Sequence, residues 1–229
     1  MTALIDAVLF DLDDTLYLQS SFLAQVWHHV AQVAASESGR GAEEIEATLV
    51  GISAQGSDRG GIIDRAVEQL GISCPIEPLV EAFRTFTPTT LSLLPGARAV
   101  LDACAAQVPI GLVSDGVVEL QRAKLAALGL EDSFDVVVLS DTFGREHRKP
   151  DPTPFLAALE ALGTSPEATV FVGDRPDKDV VGAHSVGMRA LRVHTGEYSQ
   201  APDPEGCWAS VPSIADVEQC LVPLLVGRR

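Results

Sequence analysis

Short apolar runs that stop at an acid or a small polar residue alternate along much of the chain with stretches in which apolar residues recur at helical spacing. Val8-Leu9-Phe10 stops at Asp11, Val108 to Val113 stops at Ser114-Asp115-Gly116, Val136 to Leu139 precedes Lys149-Pro150, and Thr169 to Val172 stops at Gly173-Asp174. Runs this short and without polar alternation predict strands buried on both faces, as in a parallel sheet. Between them, Ala97 to Ala106 predicts a helix, Val117 to Leu128 a second stopped by Gly129, and Phe155 to Leu162 a third stopped by Gly163. Thr153-Pro154 supplies that third helix with an N-cap and a proline at its first position. Strand, helix, strand, helix implies an α/β fold whose ligands bind beyond the carboxyl ends of the strands. The stretch from Gly196 to Gly206 reads as a polar loop, and Ile214 to Leu225 as a last helix.

One long region departs from this rhythm. After Thr15 the strand pattern is lost until about Val108. Phe22, Leu23, Val26, Trp27, Val30 and Val33 mark one helix, Ile45, Leu49 and Ile52 a second, and Ile62, Ile63, Ala66, Val67 and Leu70 a third closed by Gly71. Leu79, Val80 and Phe83 suggest a fourth. The expected organisation is a core of residues 1–17 and 92–229, interrupted by a helical insert of residues 18–91.

The candidate chemistry lies at the strand ends. Asp11, Asp13 and Asp14 repel one another, and in a partly desolvated cleft they need a cation among them. Hard oxygen ligands favour Mg²⁺. An Asp-rich segment after a strand is by itself as good a turn as a site. Partners downstream shift the balance: Ser114, Lys149, Asp174 and Asp179 each follow a further apolar run. The ordered set of DxDxT at Asp11, a hydroxyl residue at Ser114, Lys149 before proline, and GDxxxxD from Gly173 to Asp179 resembles the haloacid dehalogenase superfamily of phosphohydrolases, over about Ala7 to Val193.

That resemblance implies a doubly wound, Rossmann-like parallel sheet with the helical insert as a cap. It implies Asp11 as the nucleophile that forms an aspartyl-phosphate and Asp13 as the acid and base. Mg²⁺ would be held by Asp11, the main-chain carbonyl of Asp13, and Asp174, with Asp179 or Asp177 orienting the ligands. Ser114 and the amides of Asp115 and Gly116 would hold phosphate oxygens, and Lys149 would neutralise the charge that Asp11 and the phosphate share. The implied activity is a Mg²⁺-dependent phosphatase of a small phosphorylated metabolite. A phosphosugar mutase of the same superfamily uses the same core residues. A phospho-accepting signalling module, similar to response-regulator receivers, is a reading from another class, against which Asp13 and the helical insert stand.

Asp14 reads as a turn cap and Thr15 as a loop stabiliser. Arg145, His147 and Arg148 crowd just before Lys149, as a solvated loop or as contacts to the leaving group. Arg59, in the polar stretch Ser57-Asp58-Arg59-Gly60-Gly61, reads first as a surface residue and second as a contact to a substrate carboxylate or hydroxyl.

Composition narrows the partners. A formal net charge of −16 over 229 residues argues against nucleic acid and anionic bilayers, and leaves small phosphorylated substrates where basic residues converge. Cys74, Cys104, Cys207 and Cys220 lack zinc or CxxC spacing, and no apolar run is long enough to cross a membrane. A cytoplasmic monomer or homodimer is expected.

Overall fold

The computed structural model describes residues 4–56 and 59–227; Ser57 and Asp58 of the polar stretch lie outside the described residues. The chain divides into two compact units, Met1–Gln19 with Thr90–Arg229, and Ser20–Thr89.

The first unit is built on a parallel sheet. Its strands are β1 Ala7–Phe10, β2 Ile110–Ser114, β3 Val136–Leu139, β4 Thr169–Gly173, β5 Arg189–Val193 and β6 Cys207–Val211, in the order β3-β2-β1-β4-β5-β6. This is the doubly wound order, with winding reversed about β1. β1, β2 and β4 are buried at every position, which is why their sequences show no polar alternation. One apolar layer packs Leu9, Val113 and Phe171 against Phe155, Ala158 and Leu159. The Phe155 and Phe171 rings meet edge to face at 5.1 Å.

Two strands and two helix ends differ from expectation. β5 and β6 were not foreseen: Arg189 and Arg192 interrupt the apolar run of β5, and β6 is half-exposed along its length. The helix expected from Thr153-Pro154 starts one such pair earlier, spanning Pro152–Leu162, because the Asp151 carboxylate accepts the Thr153 N–H at 2.9 Å and takes the N-cap. The last helix is α-helical only over Ile214–Leu221, and Val222–Leu224, which contains Pro223, tightens to a 3₁₀ turn.

The second unit is helical, as its periodicity predicts. Helices α1 Gln19–Ser38, α2 Ala42–Ser53, α3 Ile62–Leu70 and α4 Ile76–Arg84 carry it, and α3 ends at Gly71 in the left-handed conformation. Trp27 stacks on Phe83 at 5.0 Å and Phe22 meets Phe86 at 6.0 Å. Leu23 and Val33, expected in this core, are only partly buried; Ala31 and Ala34 take the inner face instead.

Candidate active site

The strand register brings the marked residues to one edge. Phe10 pairs with Leu112 on one side and Val172 on the other, and the Asp11 N–H continues the ladder to the Val172 carbonyl at 2.9 Å. Asp11, Ser114 and Asp174 therefore emerge together at the carboxyl ends of the three central strands. In a doubly wound sheet that is where the crevice opens.

Asp11, Asp174 and Asp179 are buried, with ligand oxygens all within 4.8 Å of one another. Lys149 Nζ donates to Asp11 Oδ1 at 2.5 Å, Asp179 Oδ1 at 2.7 Å and the Val113 carbonyl at 3.2 Å. The Thr15 hydroxyl lies 3.4 Å from both Asp11 Oδ2 and Asp174 Oδ1, which gives it a place between two carboxylates. Burial, with repulsion from Asp179 and Asp13, pushes the Asp11 carboxyl up to about 7 against the pull of Lys149. Burial and the neighbouring Asp179, Asp11 and Asp14 drive Asp174 well above the carboxylate range. Burial opposes the Lys149 ammonium, yet Asp11, Asp179 and Asp115 outweigh it and raise Lys149. Three buried carboxylates against one ammonium leave negative charge uncompensated, and hard oxygen donors in such a cluster fit Mg²⁺.

Asp179 reaches the cluster because residue 173 is glycine. Its other oxygen accepts the Arg175 N–H at 2.9 Å, and a Cβ on Gly173 would lie 2.4 Å from that oxygen. Gly173→Ala is therefore expected to swing Asp179 off Lys149, to lower turnover about 10²-fold, since displacements near 1 Å at a reacting site have that size, and to lower the melting temperature as well, since a buried ion pair is broken. Activity at the wild-type level in Gly173→Ala would show that Asp179's place is immaterial.

Asp13 sits in a separate network. Its Oδ1 accepts Lys124 Nζ at 2.6 Å and the Tyr17 hydroxyl; its Oδ2 accepts Gln121 Nε2 at 2.8 Å. Burial works to raise Asp13, but Lys124, Tyr17 and Gln121 together hold it below the ordinary carboxylate range. The same Gln121 nitrogen donates to Ser114 Oγ at 2.6 Å. Tyr17, Gln121 and Lys124 were not singled out from the sequence. The signal for one of them was scarcity: Lys124 is one of three lysines, with Lys149 and Lys178.

Asp115 Oδ1 accepts the Ser140 hydroxyl at 2.8 Å and the Lys149 N–H at 3.1 Å, while Oδ2 faces Lys178 Nζ at 3.8 Å. Its carboxylate thus braces the segment that carries Lys149. Gly116 has φ 129°, a conformation L side chains avoid, and lies beside Gln121.

Other candidates of the first unit make their bonds outside the cluster. Asp177, one of two acids considered for orienting metal ligands, is exposed and forked by the Arg175 guanidinium at 2.9 and 2.8 Å. The Arg148 guanidinium forks onto Asp141 at 2.6 and 2.7 Å, a bidentate pair within its own loop. Arg145 is exposed, and His147 lies 3.4 Å from Asp151. Arg59 is exposed in the helical unit, its side chain folded over Gly56. Asp14 locks a turn: at φ 58° it accepts the Gln19 N–H at 2.8 Å and the Glu197 N–H at 3.1 Å, and its carbonyl accepts the Thr195 hydroxyl. Gly196 permits that approach, since a Cβ there would overlap the Asp14 carboxyl.

A family model described as haloacid dehalogenase-like hydrolase matches residues 5–187, which include Asp11, Ser114, Lys149, Asp174 and Asp179. The chain belongs to the haloacid dehalogenase-like hydrolases. It is 31% identical over 203 residues to the glyceraldehyde 3-phosphate phosphatase of Methanopyrus kandleri, covering 85% of this chain and 86% of that one. Among solved structures of these hydrolases, a HAD phosphatase from Thermococcus onnurineus superposes with a TM-score of 0.62 at 25% identity, covering 95% of this chain and 98% of that one. The L-2-haloacid dehalogenase of Xanthobacter autotrophicus superposes with a TM-score of 0.66 at 21% identity, over 94% and 97% of the two chains, a likeness of fold alone. Among the described residues no helix is long and apolar enough to cross a membrane.

Proposed function

We propose that this haloacid dehalogenase-like hydrolase cleaves the phosphate monoester of a small metabolite, with Asp11 as nucleophile and Asp13 as acid and base. The observation that carries the reading is the contrast between two carboxylates two residues apart. Asp11 is buried in an acidic cluster against Lys149, whereas Asp13 stands in a separate network of Lys124, Tyr17 and Gln121, the last of which also bonds Ser114. Two carboxylates so close in sequence but held by different partners can be given different chemical roles.

In this reading an Asp11 oxygen bonds to phosphorus as the ester oxygen departs, and that oxygen takes a proton from Asp13. Asp13 then takes a proton from the water that attacks phosphorus, which releases inorganic phosphate and restores the Asp11 carboxylate. The Ser114 hydroxyl and the amides of Asp115 and Gly116 hold the phosphoryl oxygens, and Lys149 offsets the charge shared by Asp11 and the phosphate. Asp11, Asp174 and the Asp13 carbonyl would hold Mg²⁺, with Asp179 steadied by Lys149 and by the Arg175 N–H. When bound, that cation supplies charge neutralisation and keeps Asp11 ionised. The dehalogenase branch lacks an acid at the second motif position, where this chain has Asp13. All four cysteines are free, which suits a reducing, cytoplasmic setting.

The relative from Methanopyrus kandleri makes glyceraldehyde 3-phosphate the first compound to test, beside sugar phosphates, nucleoside monophosphates, phosphoglycolate and an aryl phosphate. Sustained phosphate release is expected with Mg²⁺, with loss in excess chelator and inhibition by Ca²⁺, whose larger coordination shell aligns a carboxylate poorly for attack. A single phosphorylation without turnover would instead mark a signalling module. Full turnover in chelator would remove the metal from the reading.

A further inference from the structure

Helix α5, Val118–Ala127, follows the Ser114-Asp115-Gly116 turn and lies outside the four motifs. Its inner face carries Leu120 and Leu125 together with Gln121 and Lys124, which are 1% and 4% exposed. Residues three apart on a helix share a face, so the two polar side chains reach the same place. The Gln121 amide has two hydrogens, and its nitrogen stands 2.6 Å from Ser114 Oγ and 2.8 Å from Asp13 Oδ2. Lys124 Nζ is 2.6 Å from Asp13 Oδ1, which also accepts from Tyr17. Both oxygens of Asp13 are thereby fixed, and one side chain ties them to the serine hydroxyl.

Stability does not call for this arrangement. Desolvating an ammonium and a carboxylate together often yields no more stability than a well-packed apolar pair of similar volume. Neighbouring positions on the same face hold leucine. The chain has only three lysines, and each one faces a carboxylate at this edge of the sheet: Lys149 faces Asp11 and Asp179, Lys124 faces Asp13, and Lys178 faces Asp115.

We infer that Gln121 and Lys124 are positioning residues that hold Asp13 at a set distance from the phosphoryl group seated at Ser114. The inference rests on the reading of Asp13 as acid and base, and deepens it. Neither side chain transfers a proton or touches phosphorus. They act through Asp13, so their loss should slow only the steps in which Asp13 takes part.

The test uses the full chain with Mg²⁺ and an aryl phosphate, whose good leaving group needs little acid in the first step. Lys124→Met is expected to keep the burst of phenolate and to slow the following steady state about 10- to 10²-fold, with KM falling alongside so that kcat/KM is little changed, and with phosphoenzyme accumulating. Gln121→Leu, which leaves no buried charge unpaired, is expected to show the same split with a smaller loss. In an Asp13→Asn background neither substitution should slow the steady state more than about twofold further, since effects through a shared group do not multiply. Losses that multiply with Asp13→Asn, or that fall equally on burst and steady state, would overturn the inference. So would both variants failing to fold, which would make the pair structural. A wild-type chain that forms no phosphoenzyme would sink the proposed function itself, a result distinguishable from a wild type that turns over beside variants that behave like it.

Discussion

Asp11→Asn is expected to abolish phosphate release and the covalent intermediate while the protein stays folded, and Asp13→Asn is expected to keep the intermediate and lose its turnover. The two residues differ in surroundings more than in position. Asp11 lies against Lys149 in the buried cluster, and an asparagine there keeps the shape but cannot form an acyl phosphate. Asp13 lies among Lys124, Tyr17 and Gln121, and an asparagine there removes a proton carrier worth about 10²–10⁴-fold in each transfer. With an aryl phosphate the first transfer hardly matters and the second does. Rapid mixing of Asp13→Asn should thus release one equivalent of phenolate per site and leave phosphate on Asp11, identifiable by mass. Phosphate found on Asp13, or on neither residue, would mean the nucleophile is wrongly assigned.

Lys149→Met is expected to have the second largest effect, and it should show in stability as well as in rate. Lys149 bonds Asp11 and Asp179 at once, and deleting one member of a buried ion pair costs about 3–5 kcal/mol because the other is left uncompensated. Turnover should fall about 10²–10³-fold, as when a preorganised donor is removed from developing charge. The stability loss carries a sign in pH. A carboxyl raised in the folded state binds more protons there than in the unfolded chain, so its contribution is complete below the ordinary carboxylate range and is lost as pH rises through the folded value. Asp11 already stands at about 7 with Lys149 present, and removing the cation lifts it further. Metal-free Lys149→Met should therefore melt at progressively lower temperature as pH climbs from about 4 past 7, more steeply than wild type. Mg²⁺ should restore part of the difference. A melting temperature independent of pH in the variant would contradict the buried, mutually repelling cluster.

The strand ends were legible because chemistry and periodicity coincide there. Asp11, Ser114 and Asp174 each close a short apolar run, so the pattern that predicts the strand also predicts where its last side chain emerges. What escaped was polar residues doing buried work. Gln121 and Lys124 look like the solvated face of α5, because helical periodicity reports hydrophobicity and says nothing of a buried carboxylate awaiting them. Arg192 hid β5 in the same way: it is fully buried, yet in sequence it breaks an apolar run. The helix start at Asp151 rather than Thr153 was a choice between two capping residues, each followed by proline, that only the side-chain bond to Thr153 N–H decides. Among the basic residues before Lys149, charge alone could not reveal that Arg148 is paired with Asp141.

Arg192 also bears on where this hydrolase can be cut and recombined. Its guanidinium donates to the Asp174 carbonyl at 3.1 Å, the Tyr198 carbonyl at 2.7 Å, the Ala201 carbonyl at 2.9 Å and the Asp203 carboxylate at 2.8 Å. The family match ends at residue 187, before any of these except Asp174. A chimera spliced at that boundary would replace Arg192 together with its partners in the loop after β5, and would leave the buried Asp174 carbonyl without the guanidinium that donates to it. The inheritable module of this protein therefore extends through the loop after β5, and the natural seam for domain exchange lies beyond Asp203.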